Sequence, residues 1–166
     1  RGKYSYDFNP FWIFTDFSTN ADKRIKTFFH FLFKYWPSAP TPVYLIANER
    51  SYRDPRVKTI QVGPDQQWGS NTRSALSEID TELVVLLLDD FFLDAPFLEN
   101  DFQTAKAQML AEGGRLLEMR LHGSVGTPVN NTWFRRADPT NLCAGINSNL
   151  WRRELLMEIA QPGLNI

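Results

Sequence analysis

Short runs of consecutive apolar residues alternate along this chain with segments whose apolar positions recur every three or four residues. The first run, FWIFTDF (residues 11–17), lies between Pro10 and the turn formers Ser18 to Asn20 and reads as a strand. Behind it, Ile25, Phe28, Phe29, Leu32 and Phe33 repeat at helical spacing, which predicts a helix over residues 21–36 ended by Pro37 and Pro40. PVYLIAN (42–48) and VKTIQVG (57–63) read as two further strands, separated by the polar loop NERSYRDP. A short helix over 71–80 leads into the strand at 82–88, and another helix at 97–112 stops at Gly113-Gly114. LLEMRLH (116–122) alternates like a strand, a Gly-, Pro- and Asn-rich polar stretch fills 123–140, and 149–160 is predicted as a final helix. This alternation is the signature of a layered α/β domain.

In an open α/β sheet, ligands bind outside the carboxyl ends of the strands. That rule selects Thr15 and Asp16, Asn48 and Glu49, and Asp89 and Asp90 as three chain-distant polar pairs at one rim. LVVLLLDD is the most informative of them. Six apolar residues describe a strand buried on both faces, and two adjacent carboxylates at its end cannot both enter the core unpaired. Alternation sends their side chains in different directions, so one can meet a metal while the other meets a hydroxyl. Oxygen ligands of this kind suit Mg²⁺ or Mn²⁺. An acidic turn that merely caps the next segment is the plain alternative.

The segment WGSNTRSALSEID places Trp68 in a Gly-containing loop and Arg73 in the first turn of a helix, where a guanidinium can grip a phosphate. A hydrophobic lid and a solvated Arg would look the same in sequence. Phe91, Phe92 and Phe97 bracket the acidic pair, while Trp133 and Phe134 lie in the polar stretch. Such rings can stack on sugars or simply fill a small core.

Length and composition narrow the classes. The 166 residues suit a single domain, and 43% hydrophobic with 22% charged residues is a globular composition. Eighteen basic against nineteen acidic residues, net −1, exclude a bulk polycation that coats nucleic acid. One cysteine, Cys143, excludes an intramolecular disulfide framework and any Cys-cluster zinc site, which makes a reducing cytoplasm the default. The longest apolar run, residues 83–88, is far short of the roughly 20 residues of a membrane span. No GxGxxG or Walker A sequence is present, His30 and His122 are too far apart along the chain to read as a ligand set, and Arg152-Arg153 reads as a solvated face. Asn130-Asn131-Thr132 matches a glycosylation sequon without other signs of secretion. The chain begins without Met and stops at QPGLNI, so it is expected to be one domain over residues 1–166 cut from a slightly longer reading frame at both ends.

TDF at the first strand, KYWPSAPTPVYLIANE, and VGPDQQWGSNTRSALSEIDTELVVLLLDDFFL together resemble bacterial GT-A-fold glycosyltransferases, the family-2-like enzymes of capsule and lipopolysaccharide synthesis. The likeness extends over nearly the whole chain, and YWP…PVYL and ELVVLLLDDFF are its most specific parts. The resemblance implies a Rossmann-like, three-layer α/β/α domain with a mostly parallel central sheet. It implies a nucleotide-sugar donor site in which Asp89 faces the ribose, Asp90 holds a divalent cation (Mn²⁺ or Mg²⁺), and Arg73 lies near the diphosphate. Thr15, Asp16, Asn48, Glu49 and Trp68 would line the rest of the donor site. NLCAGINSNLWRRELL resembles the block behind the acceptor site. The acidic motif that supplies the general base in inverting members lies beyond Ile166, which leaves Asp138 as the candidate within this chain.

The implied reaction displaces a nucleoside diphosphate from an anomeric carbon by an acceptor hydroxyl, in surface polysaccharide synthesis. The implied partners are a nucleotide-sugar donor and a glycan or lipid-linked acceptor, with no nucleic acid. A cytoplasmic location is expected, peripheral to the inner membrane if the acceptor is lipid-linked. Two other readings stand beside it: a catalytically silent GT-A-like domain that binds nucleotide or glycan, and a metal-dependent phosphohydrolase using Asp16.

Overall fold

The computed structural model describes residues 11–14, 21–119, 127–128, 134–136 and 149–164. Twelve elements follow one another in these stretches. They are β1 (Phe11–Phe14), α1 (Ala21–Tyr35), β2 (Val43–Ala47), β3 (Val57–Gln61), α2 (Gln67–Ser77), β4 (Leu83–Leu88), α3 (Glu99–Ala111), β5 (Leu116–Met119), β6 (Thr127–Pro128), β7 (Phe134–Arg136), β8 (Asn149–Arg152) and α4 (Arg153–Ile159). The strands form one eight-stranded sheet in the order β3-β2-β1-β4-β8-β5-β7-β6.

The sheet has two halves. β3, β2, β1 and β4 pair in parallel. Beyond β4 every pairing is antiparallel: β4 with β8, β8 with β5, β5 with β7, and β7 with β6. The expectation of a mostly parallel sheet therefore holds for one half only. The reason lies at residues 149–152, which sequence periodicity assigned to a helix. NLWR is a strand inserted between β4 and β5, running against both. Leu150 and Trp151 fill opposite faces of the sheet and are both fully buried. A helix would have put neighbouring side chains about 100° apart on one surface, whereas a strand sends them to the two cores. The stretch 123–140, read as a polar loop, also contains the short strands β6 and β7.

Two apolar cores sandwich the sheet and give three layers. On one face, α1 and α3 cover Val43, Leu45, Val85 and Leu87. On the other, α2 and α4 cover Ile46, Ile60, Val84 and Leu86. β4 shows why its run of six apolar residues was needed: alternate residues serve alternate cores. In α1 the buried residues are Ile25, Phe28, Phe29, Leu32 and, just past its end, Trp36. Burying each large side chain is worth about 1.5–3 kcal/mol, so this stripe anchors the helix against the sheet. Lys34 in its last turn complements the helix dipole. Trp36 donates from Nε1 to Glu99 Oε2 at 2.7 Å and stacks on Phe97, which ties the end of α1 to the start of α3.

α2 begins four residues earlier than periodicity predicted, at Gln67 rather than Asn71. Asp65 makes the earlier start possible. Its Oδ1 accepts from the Gln67 N–H at 2.9 Å and from Asn71 Nδ2 at 2.8 Å, while Asn71 Oδ1 accepts from the Gln66 N–H at 3.2 Å. These bonds satisfy N–H groups that open a helix without an intrahelical partner. Gly69 then lies against the segment after α4, where its N–H donates to Leu164 O at 3.0 Å. A Cβ at Gly69 would stand 2.0 Å from the backbone oxygen of Gln161.

Candidate functional site

The parallel half of the sheet brings several strand ends to one edge. Phe14 pairs with both Ile46 and Leu88, so β2, β1 and β4 end nearly level. The first turn of α1 lies at the same edge, since its Arg24 is 3.2 Å from Asp89 at the end of β4.

Leu88 to Phe91 form a tight turn closed by Phe91 N–H donating to Leu88 O at 3.1 Å. Its two central residues are Asp89 and Asp90. Asp89 points inward and is 7% exposed. Asp90 is exposed. The buried carboxylate faces Arg24 of α1, with Arg24 Nε 3.2 Å from Asp89 Oδ2. A carboxylate this deep is costly to ionise without a cation beside it, and Arg24 supplies that charge. Asp90 then remains as the outward carboxylate of the turn. One or two carboxylates of this kind fit a Mg²⁺ or Mn²⁺ ion that draws the rest of its shell from phosphate and water. Among the described residues there is no group of three or more His, Cys, Asp or Glu placed to hold a metal by protein ligands alone.

The remaining sequence candidates divide. Asn48 lies at the rim, where its Nδ2 donates to Gly63 O at 2.9 Å and its own carbonyl accepts from the Gly63 N–H at 3.0 Å. That two-way bridge fixes the ends of β2 and β3 relative to each other. Glu49 is exposed beside it, and its carbonyl accepts from Gln61 Nε2. Thr15, Asp16 and Asp138 lie outside the described residues, as do Trp133 and Cys143.

Trp68 and Arg73 are placed differently from the sequence expectation. Because α2 starts early, Trp68 is a helical residue, not a loop residue. It is 7% exposed and packs in the core under α2 and α4 with Ile46 and Ile60. Arg73 falls in the middle of α2, away from its first turn. Its Nη1 donates to Met157 O of α4 at 2.6 Å, which braces the two helices. The cation that the rim brings to the acidic pair is Arg24, which sequence reasoning passed over. A signal was present: Arg24 stands in the first turn of the helix after strand one, at the edge where a buried Asp needs a counter-charge. The aromatic residues divide too. Phe92, 43% exposed, leans on Phe28 and Phe31 beside the acidic turn. Phe97 stacks on Trp36 at 3.4 Å and belongs to the core.

No protein-family model matches the chain, and no curated protein matches it by sequence. Solved structures do match its fold. CMP:2-keto-3-deoxy-manno-octonic acid synthetase in complex with CTP superposes with a TM-score of 0.52 at 13% identity, over 91% of this chain and 76% of the other. S. aureus TarS, residues 1–349, superposes with a TM-score of 0.55 at 17% identity, over 94% of this chain and 51% of the other. The same TarS region in complex with UDP-GlcNAc gives a TM-score of 0.55 over 90% of this chain. The 2-C-methyl-D-erythritol 4-phosphate cytidylyltransferase of Thermus thermophilus follows at 0.50, with 10% identity over 92% of this chain and 74% of the other. The chain thus has a mixed α/β fold of the GT-A-like and nucleotidyltransferase type. It spans about half of the TarS region it matches. No helix among the described residues is long and apolar enough to cross a membrane.

Proposed function

We propose that this domain belongs to a nucleotide-sugar-dependent glycosyltransferase, and that the rim formed by β1, β2 and β4 receives the donor. One observation carries the reading: the turn after β4 buries Asp89 against Arg24 and leaves Asp90 facing outward at the ligand-binding edge of a GT-A-like sheet. Fold neighbours solved with CTP and with UDP-GlcNAc support a nucleotide ligand for a domain of this fold. In this reading Arg24 holds Asp89 in one orientation toward the ribose. Asp90 holds Mg²⁺ or Mn²⁺, which when bound offsets the charge on the leaving diphosphate. Asn48 keeps the β2 end of the rim fixed. Thr15, Asp16 and Glu49 complete the donor side, and Asp138 is the candidate base within this chain. The acceptor is a glycan or a lipid-linked glycan, in surface polysaccharide synthesis, with the enzyme peripheral to the inner membrane.

The test is product analysis. The protein is incubated with UDP-, GDP- and CMP-sugars and Mn²⁺, and release of the nucleoside mono- or diphosphate is followed with wild type and Asp90→Asn. Transfer or slow donor hydrolysis that the Asn variant loses supports the reading. Donor binding without release of any product supports a silent nucleotide-binding domain. Release of pyrophosphate from CTP plus a sugar acid would instead assign nucleotidyl transfer.

A further inference from the structure

The charges of this chain are segregated, although its net charge is only −1. Residues 21–58 carry eight Lys and Arg against three Asp and Glu, and residues 59–119 carry three against eleven. The basic segment is α1 together with β2, β3 and the loop joining them, at one end of the sheet. A groove of about 380 Å³ runs along this surface between α1 and that loop.

The groove combines cations with recessed rings. Lys26, His30 and Lys34 follow each other at four-residue spacing down α1 and line one side. Arg56 lines the other, its guanidinium 3.7 Å from the centre of the Phe33 ring. Arg56 donates two side-chain bonds to Asp54, at 2.9 and 2.7 Å, so the two form a closed ion pair and this wall carries no net charge. Phe33 and Tyr52 are half-buried, and Phe29, buried, stacks on Tyr52 at 4.8 Å to make the floor. From Lys26 to Lys34 the helix rises about 12 Å. Lys26 and Arg24 are about 200° apart around the helix, so the groove and the acidic turn lie on opposite flanks of α1.

We propose that this groove binds an acidic glycan, sugar rings bearing carboxylate or phosphate groups. The apolar faces of sugar rings suit the Phe33 and Tyr52 floor, and their anionic groups suit Lys26 and Lys34 on the α1 wall. A bilayer surface fits less well, because the rings are recessed between the charges and do not protrude from them. Binding of the glycan does not depend on the glycosyltransferase reading and is testable without it.

Titration calorimetry of the full chain tests the proposal. The probes are an oligogalacturonate, a phosphorylated oligomannoside, a neutral maltooligosaccharide, polyuridylate and phosphatidylglycerol vesicles. At least one acidic oligosaccharide binds, more weakly as salt rises, and the neutral one does not. Lys26→Glu with Lys34→Glu, both exposed positions, weakens binding at least tenfold, and Phe33→Leu weakens it several-fold while keeping an apolar packing group. Asp90→Asn leaves glycan binding unchanged. Failure of both acidic oligosaccharides overturns the proposal, as does equal affinity in the charge-reversed variant. Tighter binding of polyuridylate or vesicles than of either glycan also overturns it. Glycan binding together with failure of every nucleotide sugar would sink the glycosyltransferase reading and leave the groove assignment standing.

Discussion

The ion pair between Arg24 and Asp89 invites a double-mutant cycle with Arg24→Met, Asp89→Asn and the combination. At 3.2 Å, with an effective dielectric near 20, the attraction is about 5 kcal/mol before desolvation is counted. The two side chains differ in exposure, 39% for Arg24 and 10% for Asp89, so solvent screens one end of the pair. Exposed pairs couple by about 0.2–1 kcal/mol, whereas removing one partner of a buried pair costs about 3–5 kcal/mol. A half-exposed pair belongs between them, so the expected coupling is about 1–2 kcal/mol. Asp89→Asn alone should cost about 2 kcal/mol, because the charge attraction between the buried carboxylate and Arg24 is lost. Urea unfolding of the four proteins, with unchanged slopes, gives the coupling directly. A coupling below about 0.3 kcal/mol would show that Arg24 does not hold Asp89 and would refute the geometry assigned to the acidic turn. Asp90→Asn provides the contrast: an exposed substitution expected to stay within about 0.5 kcal/mol of wild type.

Other outcomes follow from the packing. Gly69→Ala should destabilise by about 1–3 kcal/mol, since its Cβ would meet the Gln161 backbone oxygen, a neighbour that cannot rotate away; denaturant midpoints measure it. Trp68→Ala should cost about 3–5 kcal/mol and reduce nucleotide binding only in proportion to unfolding, which separates a core residue from a ligand contact in a combined melting and binding series. The hydrogen bond from Arg56 holds the Asp54 carboxyl below its ordinary range. A depressed folded pKa contributes stability above the unfolded value and loses it as pH falls through the folded one. Asp54→Asn should therefore make the stability–pH profile slightly flatter at the acid end, as urea midpoints measured across the acid range would show.

The layers were legible in the sequence because burial on two faces leaves a plain mark. LVVLLL at β4 and the helical stripe of α1 each have a single structural explanation, and both lie where periodicity put them. The antiparallel half was hidden at NLWRRELL, a strand of four residues that runs straight into a helix with no Gly or Pro between them. A window long enough to detect helical spacing averages over both. The placement of Arg73 failed for a related reason. Asp65 and Asn71 start α2 four residues early through side-chain bonds, and that shift moves Arg73 from the first turn to a contact with Met157. Arg24 was missed because a counter-charge is defined by what a distant strand buries. Its position in the first turn after strand one becomes informative only once the burial of Asp89 is known.

The central claim is that the edge above Asp89 and Asp90 binds a nucleotide sugar, and a thermal-shift titration reads it most directly. Nucleoside diphosphates and nucleotide sugars would be titrated with and without Mn²⁺, with Asp90→Asn in parallel. A ligand at about 100 times its Kd stabilises the folded state by about 2.7 kcal/mol, a rise in melting temperature easily resolved for a domain of this size. The account predicts a shift with one nucleotide class, enlarged by Mn²⁺ and lost in Asp90→Asn. No shift with any nucleotide, from folded protein, would contradict it.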